Sequence, residues 1–134
     1  MQQANPGSER TLTELDFARL KKLGGGRPPA AFAGDLEVAE LVPAQQVPPD
    51  VVTMYSQVEV VDLHSRARHT LTLCYPADAE PARGFISVLS PVGASLLGLR
   101  VGDVAHWRTP HGEPCAAEVV ALLFQPEASG DYST

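Results

Sequence analysis

Four histidines, two cysteines and a cluster of serines are the side chains here whose chemistry could be catalytic or metal-binding. His64 and His69 flank one expected turn, His111 sits on another, and His106 falls in a strand signal. Cys74 and Cys115 stand 41 positions apart with no CxxC pair, so a metal site would lack a third and fourth ligand at workable spacing. Ser87, Ser90 and Ser95 would need a base and an orienting partner to act as nucleophiles. No Gly-x-Ser-x-Gly elbow supplies that setting. Gly24-Gly25-Gly26 follows a helix signal and precedes Pro28-Pro29, the wrong context for cradling phosphate. The expectation is a chain with no catalytic residue, no cofactor and no metal. Its histidines read as surface or edge residues and its cysteines as reduced thiols.

Composition narrows the alternatives to binding functions. The 134 residues are 44% hydrophobic and 19% charged, a globular composition sized for one domain plus an appendage. Ten Lys and Arg against sixteen Asp and Glu give a net charge of −6, and no basic stripe exists. Phosphate neutralisation supplies most non-specific DNA affinity, so any DNA contact is expected to be indirect. No apolar run approaches the ~20 residues that span a bilayer, and the first residues lack a signal-peptide pattern. The expected compartment is the cytoplasm, with no membrane partner.

The elements fall into two parts. Residues 1–10 are polar and read as a flexible arm. Thr11-Leu12-Thr13-Glu14 fits a capping box, and Leu12, Leu15, Leu20 and Leu23 recur at roughly helical spacing. Lys21 and Lys22 complement the end of that helix, and the glycines and prolines of residues 24–29 close it. A second helix is expected over residues 30–41, with Phe32, Leu36, Val38 and Ala39 on one face and Asp35, Glu37 and Glu40 outside; Pro43 stops it. Residues 11–42 thus predict a short antiparallel αα-hairpin, a stub of a coiled coil, followed by a linker over residues 43–50.

From residue 51 the pattern changes to short strands. Strand signals cover residues 56–63, 68–75, 84–89, 104–107 and 115–124. Between the third and fourth, Ser90 reads as an N-cap, Pro91 as the first helical residue and Gly98 as the left-handed stop of a short helix. Residues 125–134 read as a polar tail. The expected class is α+β: the helical hairpin, then an antiparallel sheet domain over residues 51–134 carrying one short helix.

Family resemblance rests on separated motifs in one order. The run from Phe85 through Ser90-Pro91-Val92-Gly93-Ala94 to Leu97-Gly98-Leu99-Arg100-Val101-Gly102-Asp103 resembles the C-terminal domain of the Gre transcript-cleavage factors, as does Thr109-Pro110-His111-Gly112-Glu113. Adding Asp50-Val51-Val52-Thr53-Met54, Tyr75-Pro76 and the stretch from Phe124 to Tyr132, the sequence is similar to the regulators of nucleoside diphosphate kinase (Rnk) within that group. The resemblance implies an FKBP-like fold for the C-terminal part. It also implies docking on RNA polymerase at the rim of the secondary channel, in competition with longer channel-binding factors. Gre factors deliver paired acidic residues on a long coiled coil to hold a catalytic Mg²⁺. Here the expected hairpin tip carries Lys21, Lys22 and Arg27 and no Asp or Glu, so transcript cleavage is not expected.

Each candidate site has a plain alternative. Ser90, Pro91 and Val92 could contact the polymerase, yet capping alone accounts for Ser90 and Pro91. Lys21, Lys22 and Arg27 could meet acidic groups near a channel, or could only balance the helix dipole. Asp35, Glu37 and Glu40 could face a partner or simply be solvated. Leu96 and Leu99 read as core. An FKBP-like fold raises peptidyl-prolyl isomerase activity as the alternative function, but with 6% aromatic residues the chain shows no aromatic-lined pocket in its sequence. Direct contact with a nucleotide kinase is a third reading that no motif separates from an effect through transcription.

Overall fold

The computed structural model describes residues 10–23 and 39–132. The N-terminal segment begins with a strand, β1 (Thr11–Thr13), which runs straight into helix α1 (Glu14–Leu23). A second short strand, β2 (Glu40–Val42), pairs with β1 in parallel, with Leu12 opposite Leu41. Residues 11–13 and 40–42 are thus extended at the ends where helix was expected. Thr11 and Thr13 are β-branched, and β1 lies buried between β2 and the main body. The Thr11 N–H donates to the Gly98 carbonyl at 3.1 Å, and the Glu40 N–H donates to the Arg10 carbonyl at 2.8 Å. The remainder of the expected second helix, with Phe32, Asp35, Leu36 and Glu37, and the tip residue Arg27, lie outside the described residues.

The α1 N-cap also differs from the expected box. The Asp16 N–H donates to Thr13 Oγ1 at 3.0 Å, so Thr13 caps the helix and Asp16 occupies the third position. Leu12 and Leu20 join the same apolar cluster as the sheet domain, whereas Leu23 is exposed. Among the described residues β1 and α1 thus contribute Leu12 and Leu20 to the core of the sheet domain.

Five further strands form the main sheet: β3 (Gln57–Asp62), β4 (Arg68–Cys74), β5 (Phe85–Ser87), β6 (Val104–Arg108) and β7 (Pro114–Phe124). Their spatial order is β5-β4-β3-β7-β6. Three neighbouring pairs are antiparallel, as expected. The pair β4–β5 is parallel, which corrects the expectation of a wholly antiparallel sheet. Two 3-10 turns (Pro76–Asp78 and Pro81–Arg83) carry the chain back to start β5 alongside β4 in the same direction. Helix α2 (Pro91–Leu96) follows β5 and packs against the sheet, with Leu96, Leu97 and Leu99 buried in the core.

Two other segments are more ordered than their composition implied. The expected linker contains a 3-10 turn (Ala44–Gln46) and the buried Val47. The polar tail folds back: Gln125 and Glu127 are buried, and the Gln125 amide donates to the carbonyls of Pro48 and Val51 at 2.9 and 2.7 Å. Those buried bonds tie the two chain segments together. No helix among the described residues is long and apolar enough to cross a membrane.

Candidate functional site

Helix α2 is short, and its placement depends on local chemistry at both ends. At its start, Ser90 Oγ accepts the Gly93 N–H at 3.1 Å and donates to the Ser87 carbonyl at 2.7 Å. Pro91 fills the first helical position, where its missing N–H costs nothing. Gly93 lets the helix lie against the end of β5, since a Cβ there would meet the Ser87 carbonyl oxygen at 2.0 Å. After the last turn Gly98 takes φ +85°, the left-handed conformation expected of the stop residue. Of the three candidate contact residues, Pro91 is exposed, while Ser90 and Val92 are half-buried.

A cleft of about 230 Å³ opens between α2 and the sheet. Its floor is apolar, built by Val60, Leu71, Ile86, Val92, Leu96 and Trp107, with Asp62 and His69 at its edge. Val92 therefore joins the exposed Pro91 to this cleft as one surface. Backbone N–H groups of His64 and Ser65 bond the exposed Asp62 carboxylate at 2.8 and 2.9 Å and hold its pKa below the usual value. The cleft edge thus carries a fixed negative charge at neutral pH. The sequence marks Ser90 as the N-cap, Pro91 as the first helical residue and Gly98 as the stop, and all three stand so in the structure, but it does not foresee the cleft that strands β3 to β7 form with α2.

Other candidates separate in space or in character. His64, His69, His106 and His111 are exposed, and no set of three or more His, Cys, Asp or Glu among the described residues is arranged to hold a metal ion. Cys74 is buried and Cys115 is half-buried, and both are free thiols. Lys21 and Lys22 are exposed at the end of α1, with the Lys21 ammonium 5.6 Å from the Phe17 ring centre.

A second set of polar residues was not singled out by the sequence. Asp16 is 1% exposed, and its Oδ2 accepts the Met54 N–H at 3.2 Å. Burial raises its pKa to about 6, with the Glu127 charge adding to the effect. Thr53 donates to Glu127 Oε1 at 2.7 Å and bonds Ser56 Oγ at 2.9 Å. Burial also raises the pKa of Glu127. These groups join α1, residues 53–56 and the C-terminal turn (Glu127–Ser129). The signal for it in sequence is only a Thr-x-x-Asp cap.

The sheet, α2 and the cleft coincide with a known domain. Residues 47–123 match the family described as transcription elongation factor, GreA/GreB, C-terminal. The chain belongs to this family. It is 44% identical over 127 residues to the regulator of nucleoside diphosphate kinase of Escherichia coli (strain K12), covering 90% of this chain and 93% of that protein. It is also 43% identical over 65 residues to the transcription elongation factor GreA of Geobacillus kaustophilus, 48% of this chain and 41% of that factor. Among solved structures, the GreA/GreB elongation factor from Nitrosomonas europaea superposes with a TM-score of 0.70 at 34% identity, over 87% of this chain and 98% of that one. The Rnk-like character inferred from separated motifs thus extends over nearly the whole chain, N-terminal segment included. These relatives are named as a regulator and as elongation factors, not as enzymes.

Proposed function

We propose that this protein binds RNA polymerase at the rim of the secondary channel and regulates transcription by excluding Gre-type factors, without stimulating transcript cleavage. The observation that carries the reading is the Gre-type domain over residues 47–123, which presents exposed Pro91 beside an apolar cleft. An interface draws most of its energy from a few central residues. Pro91 and Val92 at the mouth of the cleft supply such a centre, with Ser90 holding their backbone. The expected tip region adds support for occlusion without cleavage: Lys21 and Lys22 are exposed, and residues 24–29 contain Arg27 but no carboxylate able to hold Mg²⁺. The prolyl isomerase alternative is not retained. Among the described residues Trp107 is the one Phe, Tyr or Trp side chain lining the cleft, and the relatives are named as a regulator and as elongation factors.

The test is retention of core RNA polymerase by the purified, immobilised protein, with and without excess Gre factor. Displacement by the Gre factor is expected. No retention at physiological salt overturns the proposal, and retention that Gre factor leaves untouched overturns the rim placement. Pro91→Asp should weaken binding by about tenfold, equivalent to about 1.4 kcal/mol, while the protein stays folded. A folded Pro91→Asp variant that binds like wild type places the interface elsewhere.

A further inference from the structure

A helix of six residues cannot hold its own shape in water, because its first turn fixes several residues for one hydrogen bond and too few further bonds follow to offset that cost. Its last carbonyls also lack partners within the helix. In α2 two of these are taken by a residue far away in sequence. The Arg10 guanidinium Nη1 donates to the Ala94 carbonyl at 2.5 Å and to the Leu97 carbonyl at 3.1 Å. Arg10 is only 7% exposed. A cation at the C-terminal end of a helix also complements its dipole. The next carbonyl, that of Gly98, accepts the Thr11 N–H at 3.1 Å. Contact is close as well as polar, since a Cβ on Gly98 would lie 2.9 Å from Arg10 Cβ.

Arg10 and Thr11 lead directly into α1 through β1. The Arg10 carbonyl also accepts the Glu40 N–H from β2, so the same residue touches the return of the N-terminal segment. The described part of the N-terminal segment and α2 therefore meet at Arg10, its carbonyl on β2 and its guanidinium on α2.

We infer that Arg10 is a positioning residue that sets the orientation of α2, and with it Pro91 and Val92, from the base of the N-terminal segment. The consequence for partner binding rests on the polymerase-docking reading; the hold of Arg10 on α2 does not. A shift of β1 relative to the sheet moves the guanidinium that terminates α2. The partner-facing surface of the sheet domain and the position of the N-terminal segment are in this way one coupled unit.

The experiment uses the full chain in four forms: wild type, Arg10→Gln, Arg10→Lys, and Val58→Ala as a core-destabilised control in β3. Amide hydrogen exchange on the free proteins reads the hold on α2. In Arg10→Gln the amides of residues 94–98 should exchange at least tenfold faster, while those of Val60 and Val119 keep their relative protection. Uniform acceleration, or none at α2, overturns the inference whether or not polymerase binds. Affinity for core RNA polymerase, measured where every form is folded, reads the consequence. Arg10→Gln should bind about tenfold more weakly, Arg10→Lys should recover part of that loss, and Val58→Ala should bind like wild type. Equal weakening in Arg10→Gln and Val58→Ala, or unchanged affinity in Arg10→Gln, overturns the coupling to docking. Failure of the wild type itself to bind overturns that coupling together with the docking reading, and leaves the exchange pattern to decide whether Arg10 holds α2.

Discussion

The buried carboxylate of Asp16 accepts the backbone N–H of Met54 at 3.2 Å and so fastens α1 to the turn that leads into β3. Among the described residues its other oxygen has no hydrogen-bond partner, and the pKa rises from the ordinary carboxylate value to about 6. Burial is the main cause, because a charged carboxylate loses its hydration. The residue therefore fixes the position of α1 at an energetic cost that depends on pH.

The sign of that dependence follows from the raised pKa. Below pH 3.8 Asp16 is neutral in both states, and above about 6 it is charged in both. Between them the folded state binds the extra proton, so stability is greatest at the acid end and falls as pH rises through this window. The full difference of about two pH units corresponds to about 3 kcal/mol. Glu127 shifts in the same direction and adds to the slope. Asp16→Asn keeps an acceptor for Met54 and removes the charge. It should stabilise the protein at pH 7.5 by up to about 3 kcal/mol and change little at pH 4. Urea unfolding at both pH values measures this. A variant less stable than wild type at pH 7.5 would show that the charged carboxylate is better solvated than its burial implies.

Gly93 has no room for a side chain, because the carbonyl of Ser87 occupies the position a Cβ would take, at 2.0 Å. Backbone atoms from the end of β5 cannot move aside without breaking the β4–β5 pairing, in which Ser87 is opposite Cys74. Gly93→Ala should therefore destabilise by about 3 kcal/mol, although alanine is the better helix former by about 1 kcal/mol. Gly102→Ala, where nothing lies within 4 Å, should cost about 1 kcal/mol from its positive φ alone. Thermal unfolding of the two variants ranks them, and equal losses would refute the steric argument.

The Ser90 hydroxyl bonds in two directions, to the Gly93 N–H and to the Ser87 carbonyl. Ser90→Ala should lower stability by about 1 kcal/mol, the usual worth of an N-cap. The loss should appear in chemical denaturation with an unchanged m-value, as the core is untouched. No measurable loss would mean that Pro91 alone holds the first turn.

These residues also mark where the sequence could be read. Ser90, Pro91 and Gly98 declare α2 because each position has a specific backbone requirement, and alternation over Arg68–Cys74 declares β4. Strands β1 and β2 have three residues each, too few for any period to register, so the apolar spacing around them reads as helix. The parallel run of β5 depends on the path of residues 76–84, which no local pattern encodes. Arg10, Asp16 and Glu127 are polar types whose default is solvent, and only the tertiary structure supplies the carbonyls, N–H and hydroxyl that bury them. Cleft formation between α2 and five strands is likewise a property of the assembled sheet.

Thr53 gathers the last of these contacts. Its hydroxyl donates to Glu127 Oε1 at 2.7 Å, and its N–H donates to Ser56 Oγ at 2.9 Å. Thr53→Val preserves shape and removes the hydroxyl, leaving the buried Glu127 short of a donor. A buried acceptor left unsatisfied costs about 1–3 kcal/mol. The Thr53 bond lowers the pKa of Glu127 against the larger effect of burial, so it favours the charged carboxylate. Its removal must then cost more as rising pH ionises Glu127 than at pH 4, where the protonated group can donate elsewhere. The difference between wild type and Thr53→Val in urea unfolding should accordingly widen with rising pH. Faster amide exchange should appear at Gly130 and Asp131, whose N–H groups bond Glu127 and Pro126. A pH-independent difference would mean that the C-terminal turn is held by its apolar and backbone contacts and not by the Thr53 hydroxyl.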